Sequence, residues 1–322
     1  PCTAASCGRG LTLGLDHGCA LIDGTAWCWG RNRESQLGFA PDDQVHDPRA
    51  VPTNLRFTQL VAGEFHTCGL TAHGDVWCWG GGRHGQLGDG LLHHPLAFSS
   101  AAPKKIVGLP WSSALEVGEV KTCAVTDSGE RWCWGGWEGL HPVTRVAPPS
   151  RDAYLFQHGC VTTASGVGCW GSNSVGQLGV PRPDESDVLI TVPGAPKDVA
   201  QLTTPMLGTC ALTAGGEVWC WGSWDGRQFL APREVKTLSE VTTLRFGFTA
   251  VCALTNAGKV ACMNSGGPLE PAVFAFDDVE DFNAGAWSAC VMRKNREVWC
   301  QTVGHNGGTP TAERVATLPA TN

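Results

Sequence analysis

Fourteen of the sixteen cysteines in this 322-residue chain fall into seven pairs whose members lie nine or ten residues apart. Successive pairs begin 37 to 55 residues apart, a period typical of β-propeller blades and other repeat arrays. The chain is therefore expected to fold as seven copies of one small unit. The pairs are Cys19/Cys28, Cys68/Cys78, Cys123/Cys133, Cys160/Cys169, Cys210/Cys220, Cys252/Cys262 and Cys290/Cys300.

Each pair brackets a predicted β-hairpin, because residues of alternating polarity stand on both sides of a short turn. In the second repeat, "TCGLT" and "DVWCW" flank a three-residue loop with Gly74 at its left-handed position. In the first repeat, Asp23 and Gly24 are the signature of a two-residue type I′ turn. The seven hairpins span residues 17–30, 66–80, 121–135, 158–171, 208–222, 250–264 and 288–302.

This register places the two cysteines of each pair opposite each other, at a distance that a disulfide can bridge. Zinc ligation is the alternative, but zinc sites favour cysteines two to four residues apart, so we predict one disulfide in each hairpin. The fourth turn, centred on Ala164 and Ser165, and the seventh, with Arg296 in place of glycine, are expected to be bulged or distorted. Cys2 and Cys7 are left over and are predicted to pair, with a tethered or lipid-bearing terminus as the alternative.

A further strand precedes each hairpin and a variable outer segment follows it, which gives about four strands per repeat. "FTQLVAG" at 57–63 and "VTTLRFG" at 241–247 are two of these upstream strands. Seven such units, none able to bury both faces alone, close most naturally into a ring. The expected fold class is all-β: a seven-bladed β-propeller that forms a single domain over residues 1–322, with the C-terminal segment 310–319 completing the first blade.

Composition limits the compartments in which the protein is expected to occur and the classes of partner it is expected to bind. Sixteen cysteines point to an oxidising compartment, and a net charge of −7 argues against nucleic acid, which needs a basic face. No apolar run is long enough to form a transmembrane segment, and the start at Pro1 and Cys2 indicates a processed form. The expected location is secreted, periplasmic or at the cell surface.

The string "AGEFHTCGLTAHGDVWCWGGGRHGQLGDG" at 62–90 closely resembles the regulator-of-chromosome-condensation (RCC) repeat family, and so do 15–38 and 156–179. The resemblance implies a seven-bladed β-propeller but no single function, because the family includes exchange factors, photoreceptors, enzyme inhibitors and secreted proteins. The ultraviolet-B receptor motif is absent, since Glu64 and Glu119 follow the aligned glycines. In compartment and size the chain is most similar to the secreted, disulfide-rich branch, whose lactamase-inhibiting members bind a protein through one face.

Several histidines and tryptophans could carry function. His17, His66 and His158 stand two places before a cysteine, but other repeats replace them, so packing and hydrogen bonding between blades are the expected roles. The Trp-Cys-Trp strings are expected to fill the wedge between blades. Trp137 and Trp224 follow the hairpins of shortened repeats, where a loop should cross a propeller face, and are the candidate binding residues.

An enzymatic function finds little support, because the chain has no phosphate loop, nucleophile elbow or His-Glu-x-x-His motif. We expect no cofactor and no bound metal. The predicted function is a secreted or cell-surface, non-catalytic propeller that binds a protein partner through one face, alone or as a subunit of a larger assembly. The alternatives are glycan or small-ligand binding and, less favoured, an enzyme whose site is assembled from several blades.

Overall fold

The computed structural model describes residues 10–89, 99–137, 142–147, 156–224, 227–264, 272–274, 276–285, 288–302 and 312–319. These residues form 27 β-strands in seven antiparallel sheets, as the predicted all-β class requires. Cys2 and Cys7 lie outside the described residues. None of the described segments is a helix long and apolar enough to cross a membrane.

The chain divides into two compact units, and the first takes in residues 8–147. It contains three four-stranded sheets, in each of which the strands lie side by side in chain order. The strands of the three sheets are β1 (Leu11–Leu13), β2 (His17–Ile22), β3 (Thr25–Asn32) and β4 (Asp42–Ala50); β5 (Phe57–Ala62), β6 (His66–Thr71), β7 (Val76–Gly81) and β8 (Ser99–Lys105); β9 (Ala114–Val117), β10 (Lys121–Val125), β11 (Arg131–Gly135) and β12 (Thr144–Val146).

The second unit takes in residues 148–294. The segment before its first hairpin, where the sequence predicts a further strand, lies outside the described residues, so the fourth sheet has three described strands. The fourth, fifth and sixth sheets comprise β13 (His158–Thr163), β14 (Gly166–Ser172) and β15 (Glu185–Thr191); β16 (Val199–Thr203), β17 (Gly208–Thr213), β18 (Val218–Trp224) and β19 (Arg227–Glu234); β20 (Val241–Phe246), β21 (Ala250–Thr255), β22 (Val260–Asn264) and β23 (Ala272–Val273).

The seventh sheet corrects one prediction about the C-terminus. It comprises β24 (Val279–Ala284), β25 (Ser288–Arg293), β26 (Glu297–Thr302) and β27 (Glu313–Thr317), in that order. The C-terminal segment therefore forms the outer strand of the last sheet, and the prediction that 310–319 completes the first blade is wrong. The first sheet already draws all four strands from its own repeat, so its outer edge is occupied by β4.

The predicted hairpin register is confirmed. Cys68 pairs with Cys78 across β6 and β7, and the same opposition of two cysteines recurs in five other sheets. Gly74 has a φ of 75° as the three-residue loop requires, and Arg296 takes the same left-handed conformation at 67° without glycine. The fourth turn is distorted, as predicted: Ala164 and Ser165 connect Thr163 to Gly166 without the positive φ of a regular two-residue hairpin turn, and Gly166 has a φ of 123°.

All seven predicted hairpin disulfides are formed, and none of the described cysteines is free. Their Cα–Cα distances of 4.0–4.2 Å show how closely the paired strands approach at the bond. Since each sulfur is bonded to its partner, the zinc alternative for these pairs is wrong. The bonds are Cys19–Cys28, Cys68–Cys78, Cys123–Cys133, Cys160–Cys169, Cys210–Cys220, Cys252–Cys262 and Cys290–Cys300.

The same set of hydrogen bonds recurs between neighbouring sheets. It links the Gln-Leu-Gly tail of one repeat to the Trp-Cys-Trp hairpin of the next. The carbonyl of Gln36, in the Gln-Leu-Gly tail of the first repeat, accepts the hydroxyl of Thr67 at 2.9 Å and the indole Nε1–H of Trp79 at 3.0 Å. The hydroxyl oxygen of Thr67 is also hydrogen-bonded to Nε2 of His17, at 3.0 Å. The carbonyl of Gln177 accepts Thr209 and Trp221 in the same way. The predicted packing roles of the histidines and of the second tryptophan in each string are therefore confirmed.

A buried asparagine fixes the Gln-Leu-Gly loop at its other end. The Asn173 side chain donates to the carbonyls of Val180 at 2.9 Å and Pro183 at 2.8 Å, and accepts the backbone N–H of Leu178 at 2.9 Å. Asn32 makes the corresponding bonds in the first repeat. The amide side chain thus substitutes for the sheet hydrogen bonds that a loop lacks.

We expect Asn173→Ala to lower the free energy of unfolding by about 2–3 kcal/mol, because three buried backbone groups lose their partner. Urea denaturation followed by tryptophan fluorescence measures the change. Ser174→Ala, an exposed neighbour, is the matched control and should stay within about 0.5 kcal/mol of the parent. Equal stability of the two variants would show that the loop does not depend on the amide.

Candidate functional site

The turns between the first and second strands of sheets one to three lie against one another. The Leu15 amide donates to the carbonyl of Glu64 at 3.4 Å, and the Glu64 amide donates to the carbonyl of Glu119 at 2.7 Å. A glycine precedes each turn because there is no room for a side chain: a Cβ on Gly63 would stand 2.9 Å from the Glu119 carbonyl. Three successive turns therefore bring their carboxylates to one edge of the first unit, and we call Asp16, Glu64 and Glu119 the acidic rim.

Burial and repulsion between neighbouring carboxylates disfavour the ionised form of the two glutamates in this rim. Burial, with the charges of Glu119 and Asp16, raises the pKa of Glu64 to about 7. Within the described chain, the Glu64 Oε2 atom is buried without a hydrogen-bond partner. Burial also raises the pKa of Glu119, against the opposing effect of a hydrogen bond from Trp137. Near neutral pH Glu64 is therefore only partly ionised, and a cation brought close to it would favour the ionised form.

Trp137 caps this rim as an exposed but fixed aromatic side chain. Its indole Nε1–H donates to Oε2 of Glu119 at 3.0 Å, and its ring lies 4.4 Å from the ring of His84, centroid to centroid. The backbone amide of Gly136 anchors the same segment on the His84 carbonyl at 3.0 Å. Even so, 58% of Trp137 is exposed. An exposed aromatic side chain is thus fixed beside the Glu119 carboxylate of the rim.

The second candidate tryptophan, Trp224, is not available for binding. Its side chain is fully buried, and its Nε1–H donates to the carbonyl of Trp221 at 2.9 Å. The prediction that it lies on an exposed loop is wrong because β18 continues to residue 224 instead of ending after the Trp-Cys-Trp string. The side chain then belongs to the buried hydrophobic cluster of sheets five and six, which also includes Leu244 and Val251.

The paired cysteines hold the hairpins together and take no part in the candidate site. The second cysteine of each pair lies on the second strand of its hairpin, and its sulfur is bonded to the first cysteine on the neighbouring strand. With Cys78, these second members are Cys28, Cys133, Cys169, Cys220, Cys262 and Cys300. The predicted disulfide residues therefore have a structural role.

The acidic rim was not predicted as a site. The available signal was the pair of glutamates that follow Gly63 and Gly118, at equivalent places in consecutive repeats. Among the described residues, no group of three or more histidine, cysteine or acidic side chains is arranged to hold a metal ion. The arrangement suits the binding of a cationic group beside an aromatic one.

Comparison with known proteins identifies the repeat. Sequence profiles of the Regulator of chromosome condensation (RCC1) repeat match residues 23–70 and 57–86. The Arabidopsis thaliana protein "RCC1 domain-containing protein RUG3, mitochondrial" is 30% identical over 90% of this chain. The match spans 64% of the length of that relative.

Two solved structures share the fold at low sequence identity. Human WBSCR16 superposes with a TM-score of 0.75 at 20% identity, covering 88% of this chain and 87% of its own. Yeast RCC1 (Prp20), in a crystal structure of Kap60 bound to it, superposes with a TM-score of 0.71 at 18% identity, covering 97% and 84%. The seven sheets are thus the blades of a β-propeller, as predicted.

Proposed function

The chain belongs to the RCC1-like repeat family, and from that premise we propose that it is a non-catalytic β-propeller that binds a protein partner through the acidic rim and Trp137. The partner presents a lysine or arginine beside an apolar surface. Yeast RCC1, which shares the fold, is bound to another protein in its crystal structure. Protein binding is thus a use to which this architecture is put elsewhere.

The observation that carries the proposal is the exposed, immobilised indole of Trp137. Tryptophan dominates interface hot spots because it buries a large apolar area and has few rotatable bonds to order on binding. The bonds of Trp137 to Glu119 and His84 reduce that ordering cost further.

The charge of the rim supports a basic partner. The raised pKa values of Glu64 and Glu119 mean that ionising both carboxylates is unfavourable in the free protein. A partner ammonium or guanidinium group lowers that cost and gains a charge-assisted hydrogen bond. Binding should therefore release protons near neutral pH, where Glu64 in the free protein is partly protonated, and it should weaken as salt concentration rises.

An oxidising location is part of the proposal. Seven disulfides are suited to a secreted, periplasmic or cell-surface protein and are rare in a reducing cytosol. The Arabidopsis relative is a mitochondrial protein by name, so the compartment is to be tested on this chain itself. Fractionation of the source cells, with thiol trapping at lysis, would place it.

We expect Trp137→Ala to weaken the complex by about 30-fold, the loss typical of a central hot-spot tryptophan. Oxidised protein is immobilised, partners are captured from native surface and secreted fractions, and the purified partner is titrated by calorimetry. Val45→Ala removes another exposed apolar side chain, 69% accessible, on β4 and is the control.

A second variant tests the role of charge. Glu119→Gln keeps an acceptor for the Trp137 indole but removes the carboxylate, so it should lower affinity and flatten the salt dependence. A complex that tolerates Trp137→Ala, or whose affinity is unchanged by salt, would contradict the proposed interface.

A further inference from the structure

A groove in the second blade is unrelated to the acidic rim. It has a volume of about 440 Å³ and lies between the hairpin turn after β6 and the segment that follows β8. Its lining includes His73, Asp75, Lys105, Val107, Pro110 and Trp111. This volume falls within the range of about 300–1,000 Å³ that small-ligand sites occupy.

Trp111 forms the aromatic wall of the groove, and it fits there because residue 74 is a glycine. The indole of Trp111 lies so close to Gly74 that a Cβ there would stand 2.5 Å from its Cδ1 atom. Gly74 also has the positive φ that its turn needs, so the same residue shapes the turn and seats the indole. The Trp111 side chain remains 53% exposed and has no hydrogen-bond partner within the described part of the chain. The exposed part of the ring is therefore available to a ligand.

The polar wall carries no net charge. The Lys105 ammonium lies 2.9 Å from Oδ1 of Asp75, and both side chains are close to half exposed. A paired cation and anion offer hydrogen-bond donors and acceptors side by side without attracting a charged ligand. Val107, which is 79% exposed, adds an apolar lip.

We propose that this groove binds a neutral carbohydrate. A pyranose ring has an apolar face of C–H groups, which would lie on the indole of Trp111, and a rim of hydroxyl groups, each a donor and an acceptor. Those hydroxyls pair with the Asp75 carboxylate and the Lys105 ammonium, whose mutual neutrality suits an uncharged ligand. An ionised small molecule would lie against a like charge on one member of the pair.

The test follows the indole of Trp111 directly. Protein labelled with ¹⁵N is titrated with a panel of neutral mono- and disaccharides of gluco, galacto and manno configuration, and the Trp111 Nε1–H resonance is assigned by its loss in Trp111→Ala. At least one sugar should shift that resonance saturably, with a dissociation constant of about 0.1–1 mM. The Trp111→Ala variant should bind that sugar at least about tenfold more weakly, and Trp111→Phe should recover part of the affinity.

A second variant separates the groove from the stability of the fold. Asp75→Asn combined with Lys105→Gln keeps the shape of the polar wall and its neutrality but removes the charge-assisted hydrogen bonds, so sugar affinity should fall while the amide spectrum stays native. The proposal is overturned if no sugar of the panel shifts the Trp111 resonance. It is also overturned if a basic or acidic peptide shifts it where the sugars do not.

Discussion

Acidification from about pH 7 to about pH 5 should reduce the free energy of unfolding by about 6 kcal/mol through three buried histidines. Burial lowers the pKa of His17, His66 and His158 to about 3 in each case. In the unfolded chain these side chains titrate near their ordinary value of 6.5. Below that pH the unfolded state gains protons that the folded state does not bind, so stability present above 6.5 is lost as the pH falls towards 3.

The hydrogen bonds of these rings explain why a second proton is excluded. The Thr209 hydroxyl donates to the carbonyl of Gln177, so its oxygen accepts the Nε2–H of His158 at 2.8 Å. The Nδ1 atom of His158 is buried and has no partner among the described residues, as in His17 and His66. A proton on Nδ1 would create a buried charge and a donor without an acceptor, which is the most costly kind of buried polar group.

Urea denaturation at a series of pH values measures this effect. Each His→Gln replacement at these three positions keeps a side-chain N–H near the threonine but removes the titrating group, so it should abolish about a third of the loss that the histidines cause, or about 2 kcal/mol. Glu64 works in the opposite direction, since its raised pKa stabilises the fold at low pH and this contribution is lost as the pH rises through about 7. If the triple Gln variant kept the full acid sensitivity of the parent, the histidines would not be its source.

The parts of the fold that the sequence predicts are those fixed within one repeat. The spacing of Cys68 and Cys78 and the position of Gly74 determine one hairpin register, because a shift of one residue would turn every side chain to the other face. The same argument applied to the tail of the chain fails. "ERVATLP" has the character of an outer strand, but nothing local decides which of two blades it joins.

The candidate site depends on convergence between repeats, which a single pattern does not reveal. Glu64 and Glu119 are 55 residues apart in the sequence and become neighbours only because equivalent turns of adjacent sheets stack. Trp224 and Trp137 each follow a Trp-Cys-Trp string. Trp224 is the last residue of β18 and is buried, whereas Trp137 is exposed and bonds to Glu119 of the rim. Trp111 has no repeat counterpart, so only the structure places it over Gly74.

Reduction of the disulfides should unfold the protein at 25 °C. Each bond closes a loop of about ten residues and stabilises the fold by about 2.5–3 kcal/mol through the entropy of the unfolded chain. The seven loops are disjoint in sequence, so their effects on the unfolded chain add to about 18–21 kcal/mol. Folded domains are typically stable by only about 5–15 kcal/mol.

The measurement starts from protein unfolded in urea, because most of the cysteines are buried and inaccessible to reductant in the native state. One sample is reduced and one is not, both are diluted out of urea with the reductant kept in the first, and circular dichroism and tryptophan fluorescence report refolding. Cys68→Ala combined with Cys78→Ala, which opens a single loop, should still fold and lose about 2–3 kcal/mol. A reduced chain that refolds to native stability would remove the physical basis for an oxidising compartment, because the fold would then not need its disulfides. A reduced chain that stays unfolded while the single-loop variant folds would tie the protein to that compartment.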